Sequence, residues 1–451
     1  MNKDYRFSSY SIVVPLDSEP ENVFMMHGYT GAIDVLGKEI AEYLQNHESF
    51  NKEELPCSET TAAALEKRGY ITLWSKEEEV EYAKRLANAL YRKENILSNS
   101  FTVVVTYDCN FRCPYCFENG IERDKTTFTE EMITNLYNVI LKLAPERRLR
   151  NNIITLFGGE PLLKENKESV ARIVEKGNNL GFKFTASTNG YDLEYFEDLL
   201  SPDKIFSILV TVDGMHDEHN KRRIHHLGIP TFDKIIDNIG MALNKGISVS
   251  VRINTDKNNI QDLQKLQRLF NELGYINNEK FSINSALLHN EQSNSTQLYD
   301  YLEIKEQIKQ IEKFSNIGIC GDHGMYQRIT SAIKHNQPLN LHASSCSSQT
   351  KSFVFDPKGY IYPCLEVGNK LKHCLGSYKN GTLVWNNEIC KRWRRCLIKE
   401  SECICCKYAF ICSGGCPAHD KSADKQCVKT KELIHYSVNR AYVSLNKIIN
   451  N

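Results

Sequence analysis

The chain has 451 residues, too many for one ordinary core, so its length asks for two or three domains. Lys plus Arg and Asp plus Glu both number 56, which leaves no broad electrostatic case for a nucleic-acid partner or an anionic membrane. No run approaches the roughly 18 apolar residues of a spanning helix, so the expectation is a cytoplasmic protein, and its 16 cysteines then point to metal rather than to disulfides.

In the first 95 residues, Ser11 to Leu16 and Asn22 to Ala32 read as two short strands joined by a polar turn. Ile33 to Leu44 carries apolar residues at 33, 36, 40, 43 and 44, a helical spacing. A second helix over Glu59 to Lys67 leads into the strand-like Tyr70 to Leu73. Lys76 to Asn95 is a charged helix linking this segment to the centre of the chain. Strands with small helices and a closing hairpin predict a winged-helix-like element. A DNA-reading role would need a concentrated Lys/Arg recognition helix, which is missing. A free sheet edge can capture an extended peptide by strand addition, and a purely structural cap is the plainer alternative.

From about residue 96 to 315, strand-like stretches alternate with helical ones. The strands are Phe101 to Tyr107, Asn152 to Phe157, Phe182 to Ser187, Ser207 to Val212, Ser248 to Asn254 and Lys280 to Ser285. Helices with a 3.6-residue period lie between them, as at Thr129 to Leu143, Thr231 to Asn244 and Ile260 to Leu273. Six βα repeats predict an α/β fold, a partial (β/α)6 TIM-like barrel open on one side. In such barrels chemistry gathers at the C-terminal ends of the strands.

Directly after the first of these strands stand Cys109, Cys113 and Cys116, separated by three and then two residues. Soft thiolates suit iron, and a [4Fe–4S] cube takes four of them, so three leave one iron open to a cofactor. A zinc knuckle would ask for four ligands. The CxxxCxxC pattern, with Tyr115 before its last cysteine, resembles the radical S-adenosylmethionine (SAM) superfamily. That resemblance implies SAM on the open iron and a 5′-deoxyadenosyl radical as the product of its cleavage.

The same resemblance gives roles to the loops after the later strands. Gly158-Gly159-Glu160, after the second strand, looks like the motif that meets the SAM ammonium. Ser187 and Asn189, at the end of the third strand, can bond its ribose or carboxylate. Arg223, ten residues after Asp213-Gly214, resembles the arginine that pairs with the carboxylate, with Arg222 as the neighbouring alternative. Tyr115 is expected to contact the adenine, largely through its backbone.

Twelve of the cysteines fall between Cys320 and Cys427. Cys346 is followed after a gap by Gly359 and Cys364, and farther on come Cys403, Cys406, Cys412, Cys416 and Cys427. This layout resembles the SPASM domain of radical SAM peptide maturases, expected over residues 346–430 after a bridging segment at 316–345 and before a final helix at 431–451 packed on the barrel. The resemblance implies two auxiliary [4Fe–4S] clusters, three in all. Cys403, Cys406, Cys412 and Cys427 would hold the distal one, and Cys346, Cys364 and Cys416 the proximal one. No cysteine stands in the usual eighth position, so the proximal cluster is expected to keep an open iron, unless Cys320 reaches it as a distant fourth ligand.

Taken whole, the chain resembles the maturases of cysteine-rich peptides known as the SCIFF (six-cysteines-in-forty-five-residues) family. The resemblance implies thioether (sactionine-type) bond formation on a ribosomally made precursor peptide whose leader binds residues 1–90, with a flavodoxin- or ferredoxin-type electron donor. The anaerobic sulfatase maturases are the close rival. There an aspartate base directly follows the cysteine that corresponds to Cys364, where this chain has Leu365. Carbon-to-carbon crosslinking stays open, and a reading of another class is an iron–sulfur sensor that binds DNA without catalysis.

Overall fold

A computed structural model describes residues 4–97, 99–119, 122–288, 306, 309–311, 317–320, 324–399, 402–418 and 423–449, with backbone alone at 318–320, 423–426, 428–430 and 446–449. The bridging segment therefore falls partly outside the described residues, as does the side chain of Cys320. The chain divides into two compact units, one of residues 1–96, 322–350 and 395–451, the other of residues 97–321 and 351–394.

In the first unit, β1 (Arg6–Phe7) pairs antiparallel with β5 (Ile71–Thr72). Between them in sequence, β2 (Ser11–Pro15), β3 (Asn22–His27) and β4 (Ile33–Gly37) form an antiparallel sheet in the order β2-β3-β4. The helices are α1 (Lys38–Asn46), α2 (Glu59–Lys67) and α3 (Lys76–Leu97). The side chain of Ser58 accepts from the Thr61 N–H and so caps α2. The helix expected from Ile33 starts only at Lys38. Ile33 to Gly37 instead pair with β3, Ile33 opposite Met26, and Gly37 at φ −59°, ψ 138° lies outside helical space. Apolar residues at 33, 36 and 40 satisfy either reading, and the neighbouring strand decides it.

Strand alternation gives this sheet two buried faces. Val23 and Met25 point into a core with Ala41 and Leu44 of α1 and Ala62 and Leu65 of α2. Ile12, Val14, Phe24 and Met26 point the other way, into a core with Met325 and Ile329 of the helix Met325–Lys334 and with Ile434 and Val438 of the terminal helix Ala423–Ile449. Burial on both faces explains why SIVVPL and NVFMM read as continuous apolar runs. Ile434, Val438 and Ala441 of the terminal helix all serve this core. On α3, Ala83 and Ala87 join Tyr10, Ile404, Ala409 and Phe410 in a third core, so the charged helix is packed against the tail.

The second unit is built on one sheet of eleven strands. The six expected strands are β6 (Asn99–Val104), β7 (Ile153–Phe157), β8 (Lys183–Thr188), β9 (Ile205–Thr211), β10 (Ser248–Thr255) and β11 (Phe281–Leu287), all parallel and in sequence order. Helices α4 (Glu130–Leu143), α5 (Lys167–Asn179), α6 (His216–Arg222), α7 (Phe232–Asn244) and α8 (Asp262–Glu272) lie in the connections. Two further parallel strands extend the row, β12 (Gly318–Cys320) beside β11 and β13 (Lys351–Phe355) beside β6. Antiparallel β14 (Tyr360–Tyr362), β15 (Gly376–Ser377) and β16 (Val384–Trp385) continue past β13, so the row has two free ends and the barrel stays open. Part of the cysteine-rich segment is thus an edge of the barrel sheet.

Candidate active site at the barrel mouth

The loop after β6 is gripped from three neighbouring strands. From the β7 side, the amides of Gly159 and Glu160 donate to the carbonyls of Thr106 and Asp108 at 3.0 and 2.8 Å. A Cβ on Gly158 would sit 2.3 Å from the Thr106 carbonyl oxygen, and one on Gly159 would sit 2.2 Å from that of Asp108. Only glycine lets the two backbones meet, and Gly158 also has φ +148°. From the β8 side, the Asn189 side-chain amide donates to the Asn110 side chain at 2.7 Å. From the β9 side, Arg112 N–H donates to Ile224 C=O at 2.7 Å and His226 N–H to Asn110 C=O at 2.8 Å, around a bridge between Phe111 and His225.

The cysteine triplet sits on this clamped loop. Cys113 is buried, Cys109 and Cys116 are half-buried, and all three thiols are free. The Phe111 amide donates to the Cys109 sulfur at 3.3 Å. Burial pushes the Cys109 thiol up to about 12 and raises Cys113 and Cys116, while the guanidinium groups of Arg223 and Arg123 oppose the rise at the last two. Three free soft ligands on one rigid loop beside two cations suit a cluster of net negative charge, and loading it must release the thiol protons. Among the described residues, no three His, Cys, Asp or Glu are gathered as tightly as one metal ion would need. That bears on a single ion and not on a cube, whose corners hold their ligands farther apart.

Glu160 is buried, and its carboxylate accepts from the Leu162 amide at 2.9 Å, the Thr188 hydroxyl at 2.6 Å and the Asn189 amide at 2.5 Å. Burial outweighs these donors and pushes it up to about 7. Its side chain therefore ties the β7 loop to the β8 loop, leaving its backbone beside the cysteine loop. Asn189 is similarly engaged, since its side-chain oxygen accepts from the Tyr191 amide at 2.9 Å. Ser187 is half-buried, and its hydroxyl has no partner among the described residues.

The two arginines differ sharply. Arg222 is buried in an ion pair with Asp256 at 2.6 Å and donates to the Asn254 carbonyl at 2.8 Å. Arg223 has no carboxylate at ion-pair distance among the described residues. It donates to the Tyr115 hydroxyl at 3.2 Å and lies 5.4 Å over the Phe111 ring, and its Nε is buried without a partner. An unneutralised guanidinium beside Cys113 is the group of the two that can receive an anion. The Tyr115 hydroxyl in turn donates to Asp213, whose other oxygen accepts from the Asn254 amide at 2.7 Å. The Tyr115 side chain is thus part of the polar network, beyond the backbone role expected for it.

Sequence reasoning gave no role to Asn110 or Glu118 and used Asp213 only as a landmark for Arg223. Asn110 bonds both neighbouring loops, and Asp213 joins Tyr115 to β10. Glu118 is buried two residues after Cys116 and is raised to about 7 by burial. Only Asp213 carried a signal, as a polar residue just past a barrel strand and directly before a glycine.

The remaining cysteines lie elsewhere. In the first unit, Cys412 is half-buried and its thiol is raised to about 11 by burial and by the nearby sulfurs of Cys403, Cys427 and Cys406. The other three expected distal ligands are therefore within electrostatic reach of Cys412. Cys346 is exposed, with its sulfur 2.8 Å from the Ser348 hydroxyl, and Cys416 accepts from the Ala418 amide at 3.4 Å. Cys364 belongs to the second unit, between β14 and the helical turn Leu365–Val367. Cys374 and Cys390, unassigned in the sequence, bond the carbonyls of Gly376 and Leu375 there.

Residues 103–270 match the Radical SAM superfamily. A cysteine-type anaerobic sulfatase-maturating enzyme of Clostridium perfringens is 24% identical over 379 residues, covering 75% of this chain and 96% of that one. Among solved structures, anSMEcpe with bound AdoMet superposes with a TM-score of 0.57 at 20% identity, over 77% of this chain and all of that one. Streptococcus suis SuiB bound to S-adenosylmethionine gives 0.50 at 15% identity, over 91% of this chain and 95% of that one. These likenesses fix the fold of the barrel. No described helix is long and apolar enough to cross a membrane.

Proposed function

From the premise that residues 103–270 form a radical SAM domain, we propose that this enzyme matures a ribosomally made, cysteine-rich peptide by joining a cysteine sulfur to an unactivated carbon as a thioether. When bound, a [4Fe–4S] cube and SAM supply the adenosyl radical that takes a carbon-bound hydrogen, and auxiliary clusters supply a sink for the surplus electron. Cys109, Cys113 and Cys116 would hold the first cube. Arg223 would hold the SAM carboxylate, with Tyr115 and Asp213 fixing its direction. Ser187 and the backbone of Gly158 to Glu160 would take the other polar groups of SAM. Cys403, Cys406, Cys412 and Cys427 would hold the distal auxiliary cluster, and Cys346, Cys364 and Cys416 the proximal one with an iron left open to the peptide thiolate.

The observation that carries the reading is the pairing of a clamped three-thiol loop with an unneutralised Arg223 beside it. Peptide chemistry is supported by the neighbours, since anSMEcpe has been solved with a Kp18Cys peptide and SuiB with its precursor peptide SuiA. A second reading, oxidation of a Cys or Ser as in sulfatase maturation, is favoured by the relative that matches three quarters of the chain. Leu365 in place of the base aspartate speaks against it. Anaerobically reconstituted enzyme, dithionite and a synthetic cysteine-rich peptide decide between them. A product that has lost a pair of hydrogens and one alkylatable thiol supports the thioether. Exchange of the cysteine sulfur for a carbonyl oxygen supports the second reading and ends the first.

A further inference from the structure

The back of the cysteine loop carries a patch that the proposed chemistry does not use. The segment after α6 turns outward with Ile224, Leu227 and Ile229 exposed at 40, 68 and 41%. Such apolar side chains clustered on a short loop mark a contact surface more than a solvated one. The same segment is bonded directly to the cysteine loop by the Arg112 to Ile224 and His226 to Asn110 hydrogen bonds. Cations ring it. Arg112, Lys221 and His226 are exposed, Lys164 is 57% exposed, and Lys234 is 35% exposed. Burial lowers the proton affinity of the His225 ring, and the charges of His226, Lys234, Arg112 and Lys164 lower it further, which places them around one centre. The acids nearby are Glu194, paired with Lys234 at 2.7 Å, Glu165, 4.0 Å from Lys164, and the buried Asp192, which accepts from the Lys164 amide at 3.3 Å, while Arg112 and Lys221 have no carboxylate at ion-pair distance among the described residues and leave positive charge over.

We propose that this face, Leu227 and its neighbours within the ring of Arg112, Lys164 and Lys221, is the docking surface for an acidic one-electron carrier protein of flavodoxin or ferredoxin type. The proposal rests on the radical SAM reading, because a cluster at the triplet must be reduced from outside. The carrier gives up one electron and the triplet's cluster gains it; no bond or proton changes place. Charge complementarity steers the encounter and the apolar residues hold the docked pair. The route from the surface is short, from His226 through one backbone hydrogen bond to Asn110, the residue next to Cys109.

The test uses full-length reconstituted enzyme with Leu227→Glu and, separately, Lys164→Glu, neither of which the site employs. Affinity for purified flavodoxin and for a four-iron ferredoxin is measured alongside 5′-deoxyadenosine formation driven by the carrier or by dithionite. The proposal expects carrier affinity and carrier-driven cleavage to fall about tenfold, with a flatter salt dependence, while dithionite-driven cleavage stays within about twofold. Wild-type enzyme that binds neither carrier, or variants that keep wild-type affinity, would overturn it. So would an equal loss with dithionite, or a loss of substrate-peptide affinity in place of carrier affinity. Peptide modification under dithionite reports on the thioether reading independently, so the two can fail separately.

Discussion

The two groups of cysteines are held by opposite means. The triplet at 109, 113 and 116 stands on a loop whose backbone is fastened to loops from three barrel strands, so its shape is set by the sheet and does not depend on what the thiols bind. Cys403, Cys406 and Cys412 stand on or beside short helical turns, Glu402–Cys405 and Ala409–Cys412, whose apolar residues Ile404, Phe410 and Ile411 are buried among strands and helices from the first hundred residues. A reactive centre is thus built on a rigid frame. The tail cysteines share their support with the segment proposed to recognise the peptide.

Changing Cys109, Cys113 and Cys116 together to Ala tests the frame most severely. SAM cleavage should vanish and, on the proposed set of three four-iron cubes, iron should fall by about a third of twelve. Thermal unfolding followed by circular dichroism should shift little beyond the loss of bound-cluster stabilisation. Deleting residues 1–90 should do the reverse. It strips Ile12, Val14, Leu16, Phe24 and Met26 from a core shared with the tail, and at about 1.5–3 kcal/mol each that approaches the whole stability of a typical domain, about 5–15 kcal/mol. Insolubility or loss of tail-bound iron is the expected result. Clean loss of peptide affinity in a well-folded truncation would show the two regions to be independent.

Smaller changes sharpen the contrast. Gly159→Ala drives a methyl against the Asp108 carbonyl and should weaken SAM binding about tenfold, read by equilibrium dialysis, as the loop shifts away from Arg223. Glu160→Gln leaves one of three donors facing an amide and should cost about 1–3 kcal/mol, read by chemical denaturation. Burial raises Glu160 in the folded chain, so the native state holds its proton more tightly than the unfolded one. Its contribution is then fully present below the ordinary glutamate range and is lost as pH rises to about 7, and the Gln variant should lack that slope. Iron loading at the triplet should quicken as pH rises, because burial keeps those thiols protonated near neutrality.

The barrel was legible because its strands, buried on one face and half-buried on the other, are written as short β-rich runs between amphipathic helices, and all six came within a few residues of their places. The motif residues were legible because they sit where strands end. What escaped was long-range. Ile33 to Gly37 have a helical spacing that only the presence of β3 beside them overrides, and β13 becomes a barrel strand only by pairing with β6, some 250 residues earlier. The Tyr115 side chain finds Asp213 across 98 positions, a relation that no local pattern announces.

The core in which Ile12 and Val14 meet Ile434 and Val438 joins residues far apart in the order of synthesis. At a rate of about 5–20 residues per second, roughly 20 to 90 seconds separate the emergence of these partners from the ribosome. Over that interval one oily side of this sheet waits for its cover, which the helix Met325–Lys334 begins and the terminal helix completes. Chaperone dependence during translation is the natural outcome, and this sheet, although translated well before the terminal helix, would complete its core only after that helix has emerged.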